Sequence, residues 1–365
     1  MSTSLKRRQF LLTASASLAA AAIELRPHAA PGAETSARIK IGQIGTGHAH
    51  AGGKMQTMRK LSDLYEVVGI VEPDPKRRGA LESATYRGVP AMSEAELLAT
   101  PRLAAVAIET EVADLVSTAL RAVQAGMHVH LDKPAGESLA SFKELLDEAA
   151  RRKLTVQMGY MFRYNPAFRF CFQAVRDGWL GEVFELHGVM SKKVDAAARR
   201  ELSRYPGGSM FELGCHLIDA VVSVLGKPTT VTPFARRTDT SDNLADNQLA
   251  VFEYPLATAT IRSTLVEPHG GARRQFTVCG TQGTVDIRPL EPPRLMLSLE
   301  KAQGEYKAGV QEVSLPKLAG RYDGDFLDLA KIIRGEKASD FPPSHDLAVQ
   351  EAVLLASGLA LEPQR

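Results

Sequence analysis

The hydrophobic and polar positions of this chain fall into two regimes. Between residues 39 and 160, short apolar runs alternate with longer stretches of helical period. The runs at 39–44, 65–71, 103–108, 127–131 and 155–161 predict strands buried on both faces. The stretches at 112–125 and 138–152 predict helices, the first stopped by Gly126. A shorter helix at 93–99 carries a start signal, Ser93 with Glu96 three residues on. Strand–helix alternation of this kind builds a parallel sheet covered on both sides. From about residue 184 the pattern changes. The segments 184–190, 249–254, 258–265, 275–278 and 284–288 alternate apolar with polar, the signature of a sheet with one wet face. Two helices, 323–333 and 344–361, close the chain. The expected fold class is therefore α/β: an N-terminal Rossmann dinucleotide-binding domain at 38–160, then an α+β domain at 161–365 with an open, mainly antiparallel sheet.

Residues 1–37 stand apart as a leader. Lys6-Arg7-Arg8-Gln9-Phe10-Leu11-Leu12 is a twin-arginine pattern followed by a short, Ser/Thr-dotted apolar stretch and an Ala-rich region. This predicts the twin-arginine export machinery as a partner, a periplasmic or otherwise exported location, and no stable membrane insertion. The leader also holds four basic and two acidic residues, so the formal charge of +2 falls to zero without it. No nucleic-acid partner is implied. Cys171, Cys215 and Cys279 lie in apolar surroundings without metal-ligand spacing, so neither a disulfide framework nor a metal is expected.

The chemistry begins at the first strand, which runs into Gly45-Thr46-Gly47-His48-Ala49-His50. Gly45 suits the tight turn, Gly47 lets backbone approach a pyrophosphate, and the following helix start offers free N–H groups. The second strand ends at Glu72, placed to accept hydrogen bonds from a ribose diol. Its carboxylate favours NAD over NADP, although Lys76, Arg77 and Arg78 just beyond could receive a 2′-phosphate. His48 and His50 face either the cofactor or solvent. Lys133, in Asp132-Lys133-Pro134, sits at a carboxyl strand end, where ligands bind in open α/β sheets. A lysine in a dry cleft beside a cationic nicotinamide is expected to lose proton affinity and serve as acid or base. On the apolar helix expected at 209–226, capped by Ser209, the polar exceptions Glu212, His216 and Asp219 form one stripe. Buried ionisable groups on one line are either satisfied structural pairs or functional. Tyr160, Arg163 and Asn165, after the last strand of the first regime, are candidate substrate contacts or a hinge. The segment 192–204 reads as a solvated basic loop.

Together these pieces resemble the glucose–fructose oxidoreductase / inositol dehydrogenase / MocA-type (Gfo/Idh/MocA) oxidoreductases. Ile-Gly-Gln-Ile-Gly-Thr-Gly at 41–47 resembles the family's cofactor loop, and Asp132-Lys133-Pro134 its Glu-Lys-Pro motif. Residues 159–166 are similar to its segment after the last Rossmann strand, and 207–226 to its Asp-x-x-x-His-x-x-Asp helix. Residues 279–284 are similar to its Gly-Thr-x-Gly turn. The resemblance implies that Lys133 and His216 are the catalytic pair, with Glu212 where the family has aspartate. Thr110 and Asp132 join the cofactor contacts, although Glu111 replaces a usual proline. Asp219 joins the substrate contacts. The resemblance further implies a carbohydrate or polyol substrate, and the open sheet suggests a homo-oligomer. Export adds the expectation of a tightly held, recycled nicotinamide. A redox-neutral glycoside-cleaving cycle and a non-catalytic sugar- or nucleotide-binding protein remain as alternatives.

Overall fold

A computed structural model describes residues 37–317 and 320–361; the twin-arginine leader lies outside the described residues. The first apolar runs form β1 (Ile39–Ile44), β2 (Tyr65–Val71), β3 (Leu103–Ile108), β4 (His128–Leu131) and β5 (Val156–Met158). They pair in parallel in the order β2-β1-β3-β4-β5. Their period-free apolar sequence is explained by helices on both faces, among them α1 (Ala51–Lys60), α2 (Glu94–Leu98), α3 (Val112–Gln124) and α4 (Leu139–Arg152). Ser93 and Glu96 form the expected capping box of α2. The strand order reverses between β1 and β3, which opens a crevice at their carboxyl ends.

The chain continues through α5 (Pro166–Arg176), β6 (Val183–Ser191), α6 (Ala196–Leu202), α7 (Cys215–Leu225), β7 (Thr230–Arg236), β8 (Asn247–Glu253) and β9 (Thr258–Thr264). It ends with β10 (Gln275–Gly280), β11 (Gly283–Leu290), β12 (Pro293–Leu299), β13 (Gly309–Glu312), α8 (Asp323–Ile333) and α9 (Pro343–Ala356). The strands build an eight-stranded sheet in the order β13-β12-β11-β10-β6-β9-β8-β7. Every pairing in it is antiparallel except β6 with β9. One face packs on α7, whose residues Cys215 through Val222 are all buried. The segment 192–204, expected as a loop, contains α6, capped by Asp195 through the Ala198 amide at 2.8 Å.

The last two helices return to the first sheet. The Tyr65 hydroxyl donates to the Phe326 carbonyl at 2.6 Å. Gln350 of α9 donates to the Gly136 carbonyl at 2.6 Å and accepts from the Ala135 amide at 3.1 Å. The parallel sheet is thereby braced against the segment that carries the second half of the site. No helix among the described residues is long and apolar enough to cross a membrane.

Candidate active site

The glycine turn closes tightly. Gly45 has φ +94°, and a Cβ there would lie 2.6 Å from the Thr110 amide nitrogen. Glu72 stitches the turn to β2. It accepts from the Thr46 amide at 2.7 Å, from the Thr46 hydroxyl, and from the Asp74 amide at 2.8 Å. Both Thr46 donors go to Oε2, so Oε1, with one bond from Asp74, keeps a further lone pair for a ligand hydroxyl. Beside Glu72 opens a cavity of about 700 Å³, lined by Gly47, Arg77, Thr110, Glu111 and Arg204 among others. A second cavity of about 330 Å³ leads from Gly47 and His48 beneath α6 to Lys192, Tyr205 and Glu212. The crevice is of the size small-molecule sites have, and its second cavity is lined by His48 and Glu212 of the ionisable cluster described next.

Asp132 is the hub of that cluster. It accepts from the Lys133 amide at 2.7 Å and lies 2.8 Å from His48 Nδ1, 3.2 Å from His50 Nδ1 and 2.8 Å from Lys54 Nζ. Burial works against its charge, but His48, Lys54 and His50 outweigh burial and hold the carboxyl well below the usual range. Lys54, fully buried on α1, also reaches Glu109 at 3.0 Å. Burial and the adjacent Asp132 charge raise the Glu109 carboxyl well above the usual range. The donor atoms of His48, His50 and Asp132 converge to within 4.8 Å, a spacing a cation could use, but the Lys54 ammonium already supplies positive charge there. Sequence reasoning passed over Lys54 because a single lysine in a helix carries no local sign of burial.

Lys133 lies at the tip of β4 and is 1% exposed. Its ammonium donates to the Glu212 carbonyl at 2.6 Å and lies 3.7 Å from the Glu212 carboxylate. That carbonyl lies in a π-helical turn, residues 210–214, ahead of α7, and also accepts from the Cys215 thiol at 3.4 Å. Ser209 is not the helix cap the sequence suggested. Its hydroxyl turns to Gln248 and Ser263, and Gln248 Oε1 instead accepts the Met210 amide at 2.8 Å, so a side chain from β8 satisfies the helix start.

His216 is 2% exposed, packed among Tyr160, Phe162 and His50 with ring centroids at 6.0, 5.6 and 6.2 Å. Its Nδ1 has no protein partner among the described residues. Burial, and then the Lys133 charge, lower its pKa well below the ordinary histidine value, so it is a neutral imidazole at pH 7. His50 is likewise neutral, lowered to about 4 chiefly by burial. Glu212 is ionised: Lys133 and Lys192 overcome its burial and bring it to about 2.

The expectation that Lys133 loses proton affinity is corrected by these neighbours. Burial lowers it, but the Cys215 sulfur and the carboxylates of Glu212 and Asp132 outweigh burial and raise its pKa. Lys133 is therefore a fixed ammonium, and the unprotonated partner is His216. Their environments push the two groups in opposite directions, leaving one charged and one neutral.

Asp219 and Arg163 were expected to contact substrate. They pair with each other instead. Arg163 donates through Nε and Nη2 to Asp219 at 3.0 and 2.6 Å and through Nη2 to Asp346 at 2.6 Å, all three buried. This fork ties the segment after β5 to α7 and α9. Asn165 caps α5 through the Ala167 amide at 2.9 Å, which explains it structurally. Tyr160 remains at the site, its hydroxyl without a protein partner among the described residues.

Behind the hub, both Asp325 carboxyl oxygens also lack hydrogen-bond partners among the described residues, and burial pushes the group from 3.8 up to about 7. The folded state thus binds the Asp325 proton between those values while the unfolded state does not. This group's contribution favours the fold at low pH and is lost as pH rises through about 7. Asp325→Asn is expected to melt higher than the parent at pH 8 and to differ little at pH 4, which thermal denaturation at the two values checks.

Residues 39–160 match the family described as "Oxidoreductase family, NAD-binding Rossmann fold", and residues 168–286 match the GFO/IDH/MocA C-terminal domain. The chain belongs to the GFO/IDH/MocA oxidoreductase family. Among its relatives, an uncharacterized oxidoreductase, ORF334, of Rhizobium meliloti is 30% identical over 183 residues, 50% of this chain and 54% of the relative. The trans-1,2-dihydrobenzene-1,2-diol dehydrogenase of Sus scrofa is 26% identical over 265 residues, 70% of this chain and 74% of the relative. The chain's matches span about half the length, or less, of several of these curated relatives. Solved structures of the same fold include the UDP-N-acetylglucosamine 3-dehydrogenase GnnA from Acidithiobacillus ferrooxidans. It has a TM-score of 0.73 and 18% identity, over 89% of this chain and 98% of the other. The aldose-aldose oxidoreductase from Caulobacter crescentus, complexed with glycerol, has a TM-score of 0.74 and 19% identity, over 88% and 98%. In this family the crevice of the first sheet is an NAD-binding site, which agrees with the glycine turn, Glu72 and the cavity between them.

Proposed function

We propose that the protein oxidises or reduces a secondary hydroxyl of a sugar, polyol or related carbohydrate, with NAD held tightly and recycled in the crevice. The observation that carries this reading is a buried neutral imidazole, His216, within electrostatic reach of a buried ammonium, Lys133, whose partner Glu212 lines the second cavity. Bound NAD supplies the hydride acceptor. His216 takes the hydroxyl proton, Lys133 donates a hydrogen bond to the same oxygen as it gains negative charge, and Glu212 stands ready to accept from a neighbouring hydroxyl. Relatives named as acting on a dihydrodiol, a xylose and a UDP-sugar support a polyhydroxylated substrate.

The choice of NAD over NADP rests on Glu72 at the tip of β2 and on Arg77, whose guanidinium is engaged by Glu111 with Asp74 at 3.8 Å. A 2′-phosphate would meet a carboxylate and a cation already neutralised. Export through the twin-arginine motif and assembly through the open sheet complete the proposal; Phe234 and Met296 are exposed on its strands. The test is to identify by mass spectrometry the nucleotide that co-purifies, then to screen sugars and polyols for reduction of it at the nicotinamide absorbance band. A protein that neither retains nor binds a nicotinamide dinucleotide sinks the proposal.

A further inference from the structure

The glycine turn is roofed by charges from both sides of the crevice. Glu111, at the start of α3, packs against the turn; a Cβ on Gly47 would lie 3.1 Å from its Cγ. Its carboxylate receives the Arg77 guanidinium, from the segment after β2, on one side. On the other, Arg204 from just beyond α6 approaches it to 3.7 Å and is held by Glu201 at 3.1 Å. Arg77, Glu111, Glu201 and Arg204 all line the larger cavity, and all but Glu201 and Arg204 belong to the first sheet's segments. Two guanidinium groups, one from each side, thus approach a single carboxylate oxygen, Arg77 in a hydrogen bond and Arg204 at 3.7 Å. They do so above the turn where backbone would hold a diphosphate.

Guanidinium forks match phosphate oxygens as well as carboxylates, and a diphosphate carries more charge than one glutamate. A carboxylate beside that diphosphate is otherwise a liability. Glu111 makes sense as a counter-charge that the two guanidiniums share. Arg204, 58% exposed and looser than Arg77, is the one free to move.

We propose that Arg204 is a cofactor-binding residue contributed by the second wall. It exchanges Glu111 for the dinucleotide's diphosphate, and this contact across the crevice sets how slowly NAD leaves. The inference rests on the reading of the crevice as an NAD site and goes beyond it, because the residue comes from outside the glycine turn and strand tips and governs retention.

The test uses the full chain freed of nucleotide, NADH as probe, fluorescence titration for affinity, and release into excess NAD for the off-rate. Arg204→Ala is expected to raise the off-rate by about tenfold to a hundredfold, in line with the loss of a charge-assisted pair. Glu111→Gln is expected to tighten binding, because a competing charge is removed from beside the diphosphate. Salt is expected to speed release from the parent more than from Arg204→Ala. Arg236→Ala, on the exposed strand β7, serves as the unchanged control. The assignment is overturned if Arg204→Ala releases NADH at the parent's rate, or if Glu111→Gln weakens binding as the loss of a structural bridge would. A parent that binds no NADH overturns the NAD reading itself and the clamp with it, an outcome recognisable before any variant is made.

Discussion

Lys133→Met is expected to bind NADH within about twofold of the parent and to lose turnover by roughly 10²–10⁴-fold, the range expected for removing a positioned proton donor. Methionine keeps the side chain's length and apolar body, so the dry pocket is refilled and the fold is retained. The lost element is the cation 2.6 Å from the Glu212 carbonyl. The variant also reports on His216. Lys133 is the neighbouring charge that most lowers the imidazole, so its removal shifts the His216 pKa upward. Nuclear magnetic resonance of the ring, or the acidic limb of the pH–rate profile, reads that shift. Parent-like turnover with whichever sugar or polyol reduces the bound nucleotide would falsify the assignment of Lys133. An unmoved His216 titration would separate the two residues electrostatically.

Lys54→Met is expected to be the most destabilising single change in the first sheet's segments. Lys54, Glu109 and Asp132 are all fully buried, and the ammonium faces both carboxyls. Removing one partner of a buried ionic group leaves uncompensated charge and costs about 3–5 kcal/mol. Gly159 shows how closely the room is cut for it, since a Cβ there would stand 2.7 Å from Nζ. Denaturant unfolding measures the loss. Glu109→Gln in the same chain is expected to recover little, because the group that keeps its charge is Asp132, which must hold His48, His50 and the Lys133 amide. A Lys54→Met variant as stable as the parent would show that solvent or a bound cation shares the load.

The first sheet was legible because its signals are local. Apolar runs, a glycine turn and the Ser93–Glu96 box each act within a few residues, and the structure reproduces them with shifts of a residue or three at the ends. The 230–236 strand was missed because its residues are almost all exposed and Pro233 argues against a strand. The seven residues of α6 were too few for a period to show, and α5 and the closing strands β12 and β13 went unassigned. Lys133, His216, Glu212 and Glu72 stand out in the sequence because each ends a strand or interrupts an apolar helix. Lys54 and Gln248 do not, since their partners stand 55 and 38 residues away in sequence. Asp219 and Arg163 show the converse error: a stripe on one helix identified buried charge correctly but not that the partner was an arginine rather than a ligand.

The main-chain contact at residue 212 separates two jobs that its side chain would otherwise have to share. Because Lys133 is anchored by a main-chain oxygen, the identity of side chain 212 is free to change without releasing the lysine. On the proposed reading, the side chain at 212 can change which hydroxyl it meets while the lysine keeps its place.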